Sequence, residues 1–185
     1  MPFWQVRDEI LDFSKMLEKE KPRSILEIGT AGGGSMFLFL QAASDDACLI
    51  TIDLPGGSFG GGYPRWRVVL YKLFARYKQR IYLIRGDSHS LTTFQRVKRF
   101  LAGRMVDVLF IDGDHSYEGV KNDFELYRSL VKKGGIIAFH DIVPGLPALV
   151  GGVPQFWNQI KPRFQHTEII KDVNQGGCGI GIIHI

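Results

Sequence analysis

The sequence has little cysteine and no long apolar run. Its 185 residues include only Cys48 and Cys178, too few for a disulfide framework and without the CxxC spacing of a zinc site. No apolar run approaches the roughly 20 residues that a membrane span needs. The charged residues from Arg7 to Asp12 are unlike a signal peptide. These features predict one globular domain over residues 1–185, located in the cytoplasm and without a membrane partner.

The glycine-rich segment from Glu27 to Ser35 lacks key residues of two common phosphate sites. A dinucleotide fingerprint needs glycine at its first, third and sixth positions, and here Ala31 occupies the third. A Walker A loop needs a lysine after its last glycine, and here Gly34 is followed by serine. Glycines between a strand and a helix still let a ligand approach the backbone. The segment therefore indicates a nucleoside site rather than a pyrophosphate or triphosphate site.

Two acidic residues indicate which kind of nucleoside would bind. Asp53 ends the second predicted strand, and its carboxylate can accept hydrogen bonds from both hydroxyls of a ribose. Glu27 lies just before the glycine turn, where a carboxylate suits a cationic or amine-bearing ligand better than a phosphate. Together they favour a nucleoside with a cationic tail.

The net charge of +4 is unevenly distributed along the chain. Residues 65–104 contain 11 Lys and Arg and a single acid, Asp87, whereas the rest of the chain contains 12 Lys and Arg against 18 Asp and Glu. Such a segment attracts an anionic partner such as a nucleic acid, or it forms a solvated helix face. The sequence leaves both interpretations open.

Strand-like and helix-like segments alternate along the chain, after an amphipathic helix predicted over residues 3–20. The predicted strands are 24–28, 47–52, 81–84, 106–111 and 136–139. The predicted later helices are 33–43, 65–78, 91–101, 118–131 and 153–160. A hairpin of strands at 167–172 and 179–183 ends the pattern. This alternation predicts an α/β fold, a Rossmann-like doubly wound mostly parallel sheet of about seven strands with an antiparallel C-terminal hairpin strand.

Polar residues gather just after the predicted strands. In a doubly wound sheet the carboxyl ends of the parallel strands form one crevice, so residues far apart in sequence share a site. The residues at these ends are Glu27, Asp53, Asp87, Asp112, Asp114, His115, His140 and Asp141. His89 is expected to be incidental, and Glu118 and Asp123 are expected to be solvated or helix-end charges.

Five ordered motifs carry a family resemblance. They are Leu26 to Ser35, Ile52-Asp53, Gly86-Asp87-Ser88, Phe110 to Tyr117 and Gly134 to Asp141. Over residues 22–145 the chain resembles the class I S-adenosylmethionine-dependent methyltransferases. Within them it is similar to the metal-dependent O-methyltransferases of small molecules, including the macrocin O-methyltransferase and cephalosporin hydroxylase-like group. We therefore expect an N-terminal helix over 1–21 and a catalytic core over 22–185.

The resemblance implies S-adenosylmethionine as the cofactor and a role for each motif. The methionine part would lie against the turn, with Glu27 behind it, at Gly29, Thr30, Ala31, Gly33 and Ser35. The rest of the cofactor would contact Asp53 and Leu54 at the ribose, Gly86, Asp87 and Ser88 at the adenine, and Asp112. The residues alone also fit structural roles: a tight loop for the glycines, a cap for Asp53, and an Asx-type turn for Asp87 and Ser88.

The resemblance also implies a divalent metal and a catalytic base. The metal ligands would be Asp112, His140 and Asp141, and the catalytic residues Asp112 and His115, with His115 as the base. The family has acids or an amide where His140 and Asp141 stand here. Because a histidine ligand suits transition metals better than Mg²⁺, the identity of the metal stays open. The structural alternatives are a pocket-shaping His140, an Asp112 that binds cofactor or substrate without metal, and a capping His115.

Three functions fit these residues. The favoured one is a metal-assisted O-methyltransferase of a small hydroxylated molecule, a sugar or a phenol. The alternatives are a nucleic-acid methyltransferase that uses residues 65–104 and a cofactor-binding accessory protein without turnover.

Three further segments have expected structural roles. Residues 56–66 are expected to form a lid. Phe156 and Trp157 form an aromatic wall or part of the core, and the apolar face of residues 3–17 packs on the sheet or joins a homo-oligomer.

Overall fold

A computed structural model describes residues 5–56, 62–76 and 78–185, and in this part of the chain seven strands form one sheet. The strands are β1 (Ser24–Ile28), β2 (Cys48–Asp53), β3 (Arg80–Arg85), β4 (Val106–Ile111), β5 (Val131–His140), β6 (His166–Ile169) and β7 (Ile180–His184). Their order is β3-β2-β1-β4-β5-β7-β6. The first five are parallel, and β7 is antiparallel to both of its neighbours. The predicted mostly parallel sheet with an antiparallel C-terminal hairpin is confirmed.

Helices cover both faces of this sheet. They are α1 (Arg7–Glu20), α2 (Gly34–Ala42), α3 (Arg67–Lys72), α4 (Leu91–Leu101), α5 (Tyr117–Tyr127), α6 (Pro147–Val150) and α7 (Val153–Ile160). The bounds predicted for α4 and α7 are confirmed, and α6 was not predicted. None of the helices in the described residues is long and apolar enough to cross a membrane.

The helix predicted over residues 65–78 is wrong in length, because α3 ends at Lys72. The side-chain amide of Gln79 donates to the carbonyls of Leu40 and Ser44, at 2.8 and 3.0 Å, and so caps the end of α2. These two bonds, of which the one to Leu40 is buried, hold Gln79 outside the helix just before β3. Residue 77 lies outside the described residues, as do residues 1–4 at the start of the predicted N-terminal helix.

Strand β5 is longer than predicted, and α5 is correspondingly shorter. The sequence predicted a helix up to residue 131 and a strand from residue 136, but β5 already begins at Val131 after a short 3-10 turn. Val131 pairs with Val106, and the register then shifts before Val108 pairs with Ile136. The glycines therefore form an irregularity within the strand rather than its start.

Two apolar layers hold the helices on the sheet. On one face Phe13 of α1 contacts Phe39 of α2 and Phe110 of β4, with ring centroids 5.7 Å from Phe13 in both cases. On the other face Phe156 and Trp157 of α7 are buried against Phe139 of β5. Each such side chain contributes about 1.5–3 kcal/mol when buried. Phe156 and Trp157 therefore belong to the core rather than to the wall of a site.

Candidate functional site

One cavity of about 920 Å³ lies at the carboxyl ends of the parallel strands. We call the part that follows β1, β2 and β3 the cofactor end, and the part that follows β4 and β5 the acceptor end. Most of the predicted site residues line this cavity: Gly29, Ala31, Asp53, Leu54, Gly86, Asp87, Ser88, Asp112, His115, His140 and Asp141. The crevice expected from a doubly wound sheet thus brings together residues from five strand ends.

Four predicted cofactor residues lie behind the wall instead of lining it: Glu27, Thr30, Gly33 and Ser35. Glu27 is fully buried, where its carboxyl group accepts hydrogen bonds from Ser35 Oγ at 2.5 Å and Thr51 Oγ1 at 2.9 Å. Burial raises the pKa of Glu27 to about 8, against the opposing effect of these two bonds. At neutral pH this residue is therefore mostly a neutral acid.

The turn after β1 requires glycine for a reason internal to the sheet. Gly29 has φ +94°, and a Cβ atom there would lie 1.9 Å from the carbonyl oxygen of Asp112. The two strand ends are also joined by the Asp112 N–H, which donates to the carbonyl of Ile28 at 2.8 Å. Gly29 therefore lets the end of β4 pass directly against the turn.

Asp53 fixes the backbone of the same turn. Its Oδ2 accepts from the N–H groups of Thr30 and Ala31, at 3.0 and 2.6 Å, and its Oδ1 accepts from the N–H of Gly62 at 2.9 Å. Burial raises the pKa of Asp53, although these backbone bonds oppose the rise. A carboxylate oxygen has two acceptor directions, so Oδ1 can still accept from a ligand hydroxyl.

Two tyrosines support the cofactor end, a role that no sequence pattern predicted. Tyr71 of α3 donates to the carbonyl of Ala31 at 2.8 Å and packs so closely on Gly33 that a Cβ there would lie 2.9 Å from its ring. The buried ring of Tyr63 lies 5.1 Å from that of Tyr71. Of the predicted lid over residues 56–66, residues 57–61 lie outside the described residues, and Trp66 is exposed.

His89 and Asp123 form an unpredicted ion pair beside the adenine motif. Asp123 was expected to be solvated, but it is fully buried on the inner side of α5. His89 Nε2 lies 3.3 Å from Asp123 Oδ1, and His89 lines the cavity. The bond to Asp123 raises the pKa of His89 to about 9, against a smaller effect of burial. The prediction for Asp123 was wrong, because helical spacing alone did not identify the inward face of α5.

The acceptor end contains two histidines between two aspartates. His115 Nε2 lies 3.4 Å from Asp112 Oδ1, and His115 Nδ1 lies 3.4 Å from Asp141 Oδ2. His140 Nδ1 lies 3.2 Å from Asp112 Oδ1 and 3.4 Å from Asp141 Oδ1. His115 Nδ1 also lies 2.6 Å from the carbonyl oxygen of Leu149, to which it can donate. The four side chains therefore form one coupled charge cluster.

Mutual attraction in this cluster overcomes the cost of burial. Burial disfavours the charged imidazole of His115, but the Asp112 carboxylate outweighs it and raises the pKa of His115 to about 9. The pKa of buried His140 is raised well above its usual value, for the same reason. Burial would raise the pKa of Asp112, yet His140 and His115 hold it below its usual range. At neutral pH His115 is therefore mostly cationic, and the two aspartates favour the charged form of His140 as well.

Segments from both ends of the chain complete the acceptor end. Gln5 Nε2 donates to Asp112 Oδ2 at 3.3 Å, and the N–H of Cys178 donates to Asp141 Oδ1 at 3.0 Å. Buried Glu9 joins the two segments by accepting from the N–H of Gly179 at 2.9 Å and from Gln175 Nε2 at 2.8 Å. The sequence did not identify Gln5, Glu9 or Gln175, since no local pattern marks contacts between residues this far apart.

Two groups of side chains in the described residues have the spacing of a metal site. Each group has ligand atoms within 4.8 Å of one another: Asp112, His115 and Asp141 form one, and His140, Asp141 and Cys178 form the other. The predicted set of Asp112, His140 and Asp141 is thus divided between them. Two carboxylates and an imidazole are ligands that divalent transition metals accept.

Comparison with known proteins places this chain in a family. A family model described as a methyltransferase domain matches residues 26–142, more than half of the chain. An uncharacterised protein of Sinorhizobium fredii is 30% identical over 144 residues, which are 76% of this chain and 15% of that protein. The chain spans about a sixth of the length of the curated relatives it matches, 16% and 15%.

Solved structures with the same fold include two O-methyltransferases. The O-methyltransferase from Bacillus cereus, in complex with SAH, has a TM-score of 0.71 at 20% identity over all of this chain and 84% of that chain. TomG from Streptomyces achromogenes, which is involved in tomaymycin synthesis and was solved with SAM, has a TM-score of 0.67 at 20% identity over 96% of this chain and 80% of that chain. The resemblance to class I S-adenosylmethionine-dependent methyltransferases is confirmed, and the chain belongs to the methyltransferase-domain family.

Proposed function

We propose that this chain is an S-adenosylmethionine-dependent O-methyltransferase acting on a small hydroxylated molecule. The observation that carries the proposal is the single cavity that joins Asp53 and the turn after β1 to Asp112 and His115. A volume of about 920 Å³ lies within the usual range for ligand sites and suits a nucleoside cofactor beside a small acceptor. The family match and the SAH- and SAM-bound O-methyltransferases among the structural neighbours support it.

At the cofactor end, the turn at Gly29 and Ala31 would contact the methionine part, and Asp53 with Leu54 the ribose. Gly86, Asp87 and Ser88 would border the adenine. Glu27, Thr30, Gly33 and Ser35 would act from behind the wall by holding the turn in place. The ammonium group of the cofactor would favour the ionised form of Glu27, whose pKa is raised mainly by burial and further by the carboxylates of Asp112 and Asp53.

At the acceptor end, the chain has to align a hydroxyl group and accept its proton. S-adenosylmethionine supplies the methyl group on a sulfonium, which makes the transfer an in-line displacement with the hydroxyl oxygen as nucleophile. His115 is the candidate base because it lines the cavity beside Asp112. Since the pKa of His115 is about 9, it has to lose its own proton before it can take one from the acceptor.

We further propose that a divalent metal binds at the acceptor end. Asp112, His115 and Asp141 would hold it, or His140 and Asp141 would hold it together with Cys178. Both ring nitrogens of buried His140 lack a hydrogen bond of good geometry in the described residues, which fits a ligand role. Bound there, the metal would polarise the acceptor hydroxyl. Because an imidazole binds metal only when neutral, metal affinity should rise with pH.

The first test is binding of S-adenosylhomocysteine by isothermal titration calorimetry. We expect binding by the unmodified chain and an affinity lower by about tenfold or more for Asp53→Asn, because a charged acceptor is lost. The matched control is Asp46→Asn, since Asp46 is an acid on the surface that pairs with Arg23. No binding at millimolar concentrations would contradict the proposal.

The second test supplies methyl-labelled S-adenosylmethionine with sugars, phenols, RNA and DNA, with and without a chelator. Transfer to a small hydroxylated molecule that is lost on chelation and restored by Mn²⁺ or Mg²⁺ would support both proposals. Methyl transfer that persists in the presence of the chelator would contradict only the proposal of a metal. Transfer to nucleic acid would favour the basic segment at residues 65–104, and cofactor binding without any transfer would favour an accessory protein.

A further inference from the structure

The outer side of α3 carries an apolar stripe on the protein surface. Trp66, Val69, Leu70 and Leu73 follow the i, i+3, i+4, i+7 spacing that places side chains on one side of a helix. They are 61%, 66%, 45% and 74% exposed. The opposite side of the helix packs inward through Tyr71, which is buried. The helix therefore has one apolar face in the core and a second one in solvent, which is unusual for a soluble surface.

Positive charge surrounds this stripe. Between Asp53 and Asp87 the sequence contains seven Lys and Arg and no acid. Arg65, Lys72 and Arg76 are exposed beside the stripe. Asp45 offsets one of these charges, because it pairs with Arg76 at 3.3 Å, whereas Asp46 is paired with Arg23 and leaves Arg65 and Lys72 unaffected. The surface thus combines exposed apolar side chains with a net positive field.

We infer that this stripe docks on an anionic lipid surface. A short helix lying in the plane of a membrane places its apolar side chains at the boundary of headgroups and acyl chains, while Arg and Lys contact the lipid phosphates. Tryptophan is enriched at that boundary, and Trp66 begins the stripe. The sequence argument against a membrane partner concerned only a spanning segment, which a helix in the membrane plane does not need.

Two other occupants fit the charges and the shape less well. A second copy of the chain bound to the same stripe would bring the same basic residues face to face, which is unfavourable. A nucleic acid would satisfy the basic residues but leave the aliphatic side chains of Val69, Leu70 and Leu73 without an apolar partner. The side chains project from a convex helix rather than line a groove, so a broad, deformable surface suits them better than a peptide helix does.

The test is co-sedimentation of the full chain with vesicles of phosphatidylcholine, with or without phosphatidylglycerol. We expect binding only to the vesicles with phosphatidylglycerol, and weaker binding at high salt. Each basic residue near an anionic surface contributes about fivefold to partitioning, so Arg65→Gln with Lys72→Gln should reduce it about 25-fold. Val69→Ser with Leu73→Ser should reduce it at least about tenfold, since their apolar contact is lost.

The matched control is Leu91→Ser, because Leu91 is 69% exposed at the start of α4, away from the stripe. Its vesicle binding should equal that of the unmodified chain. Circular dichroism and S-adenosylhomocysteine titration confirm that the stripe variants remain folded. The inference is overturned if no vesicle is bound at low salt, or if neutral vesicles bind equally well. Dimerisation or RNA binding that the stripe variants abolish, without vesicle binding, would also overturn it.

Discussion

The two ends of the cavity are built in different ways. At the cofactor end, the turns that directly follow β1, β2 and β3 supply the wall, and backbone N–H groups satisfy the carboxylate of Asp53. At the acceptor end, four ionisable side chains contact one another, and Gln5 and Cys178 reach them from opposite ends of the chain. The first depends on hydrogen bonds to the backbone and the second on contacts between charged side chains. Substitutions at the two ends should therefore have different consequences.

The largest effect is expected at the acceptor end, from His115→Ala. If His115 is the base, the rate of methyl transfer should fall about 10²–10⁴-fold. The affinity for S-adenosylhomocysteine should change little, because the cofactor end is built separately. His166→Ala is the control, since His166 is exposed on β6 and does not line the cavity. An unchanged turnover number would return His115 to a structural role.

The next effect is on stability, where Gly29 joins the two ends. Gly29→Ala should lower the free energy of unfolding by about 2–5 kcal/mol, through strain at positive φ and overlap with the backbone of Asp112. Gly32→Ala is a matched control, because a Cβ atom there meets nothing within 4 Å. Urea denaturation of both variants measures the difference. Equal stability would mean that the two strand ends can separate without cost.

The third effect is a pH dependence that comes from Glu27. Its pKa in the folded state, about 8, lies above the ordinary value of 4.5. Glu27 therefore contributes fully to the free energy of unfolding at pH values below its pKa in the unfolded state. This contribution is lost as pH rises through its pKa in the folded state. Glu27→Gln should remove that loss and be more stable than the unmodified chain by about 2 kcal/mol at about pH 9. Urea denaturation between about pH 5 and pH 9 checks this prediction, and the exposed Glu20→Gln is the control. Parallel curves of unfolding free energy against pH for Glu27→Gln and the unmodified chain would contradict it.

The smallest effect is expected from Glu9→Gln, which tests whether distant segments build the acceptor end. The loss of a buried charged acceptor should cost about 1–2 kcal/mol of unfolding free energy. The KM for the acceptor should rise, while the affinity for S-adenosylhomocysteine stays the same. Glu18→Gln on the exposed side of α1 is the control. A weaker affinity for cofactor and acceptor alike would show general destabilisation instead.

Much of the fold was predictable because the patterns are local. Strand β4, with its apolar run from Val108 to Ile111, and helix α4 were placed at their observed bounds. The misplaced ends have particular causes. Gln79 caps another helix and shortens α3, and Gly134-Gly135 lies within β5 rather than before it. Both depend on partners that the local pattern does not contain.

The cavity residues followed from the sequence to a similar extent. The residue that follows a parallel strand lies at the carboxyl-end edge of the sheet. Asp53, Asp112 and Asp141 could therefore be placed at one cavity. The burial of Asp123 could not be predicted. A carboxylate on an amphipathic helix has the same sequence signature whether it faces water or a histidine such as His89. The roles of all these residues in binding and catalysis stay predictions.

The sequence by itself determined the alternation of strands and helices and, to within one residue, where the five parallel strands end, because periodicity and glycine turns depend on near neighbours. Only the tertiary structure decided the raised pKa values of Glu27, His115 and His140, and the assembly of the acceptor end by Gln5 and Glu9. The physical reason is that burial and charge pairing are set by neighbours in space. In this chain those neighbours are as many as 170 residues apart.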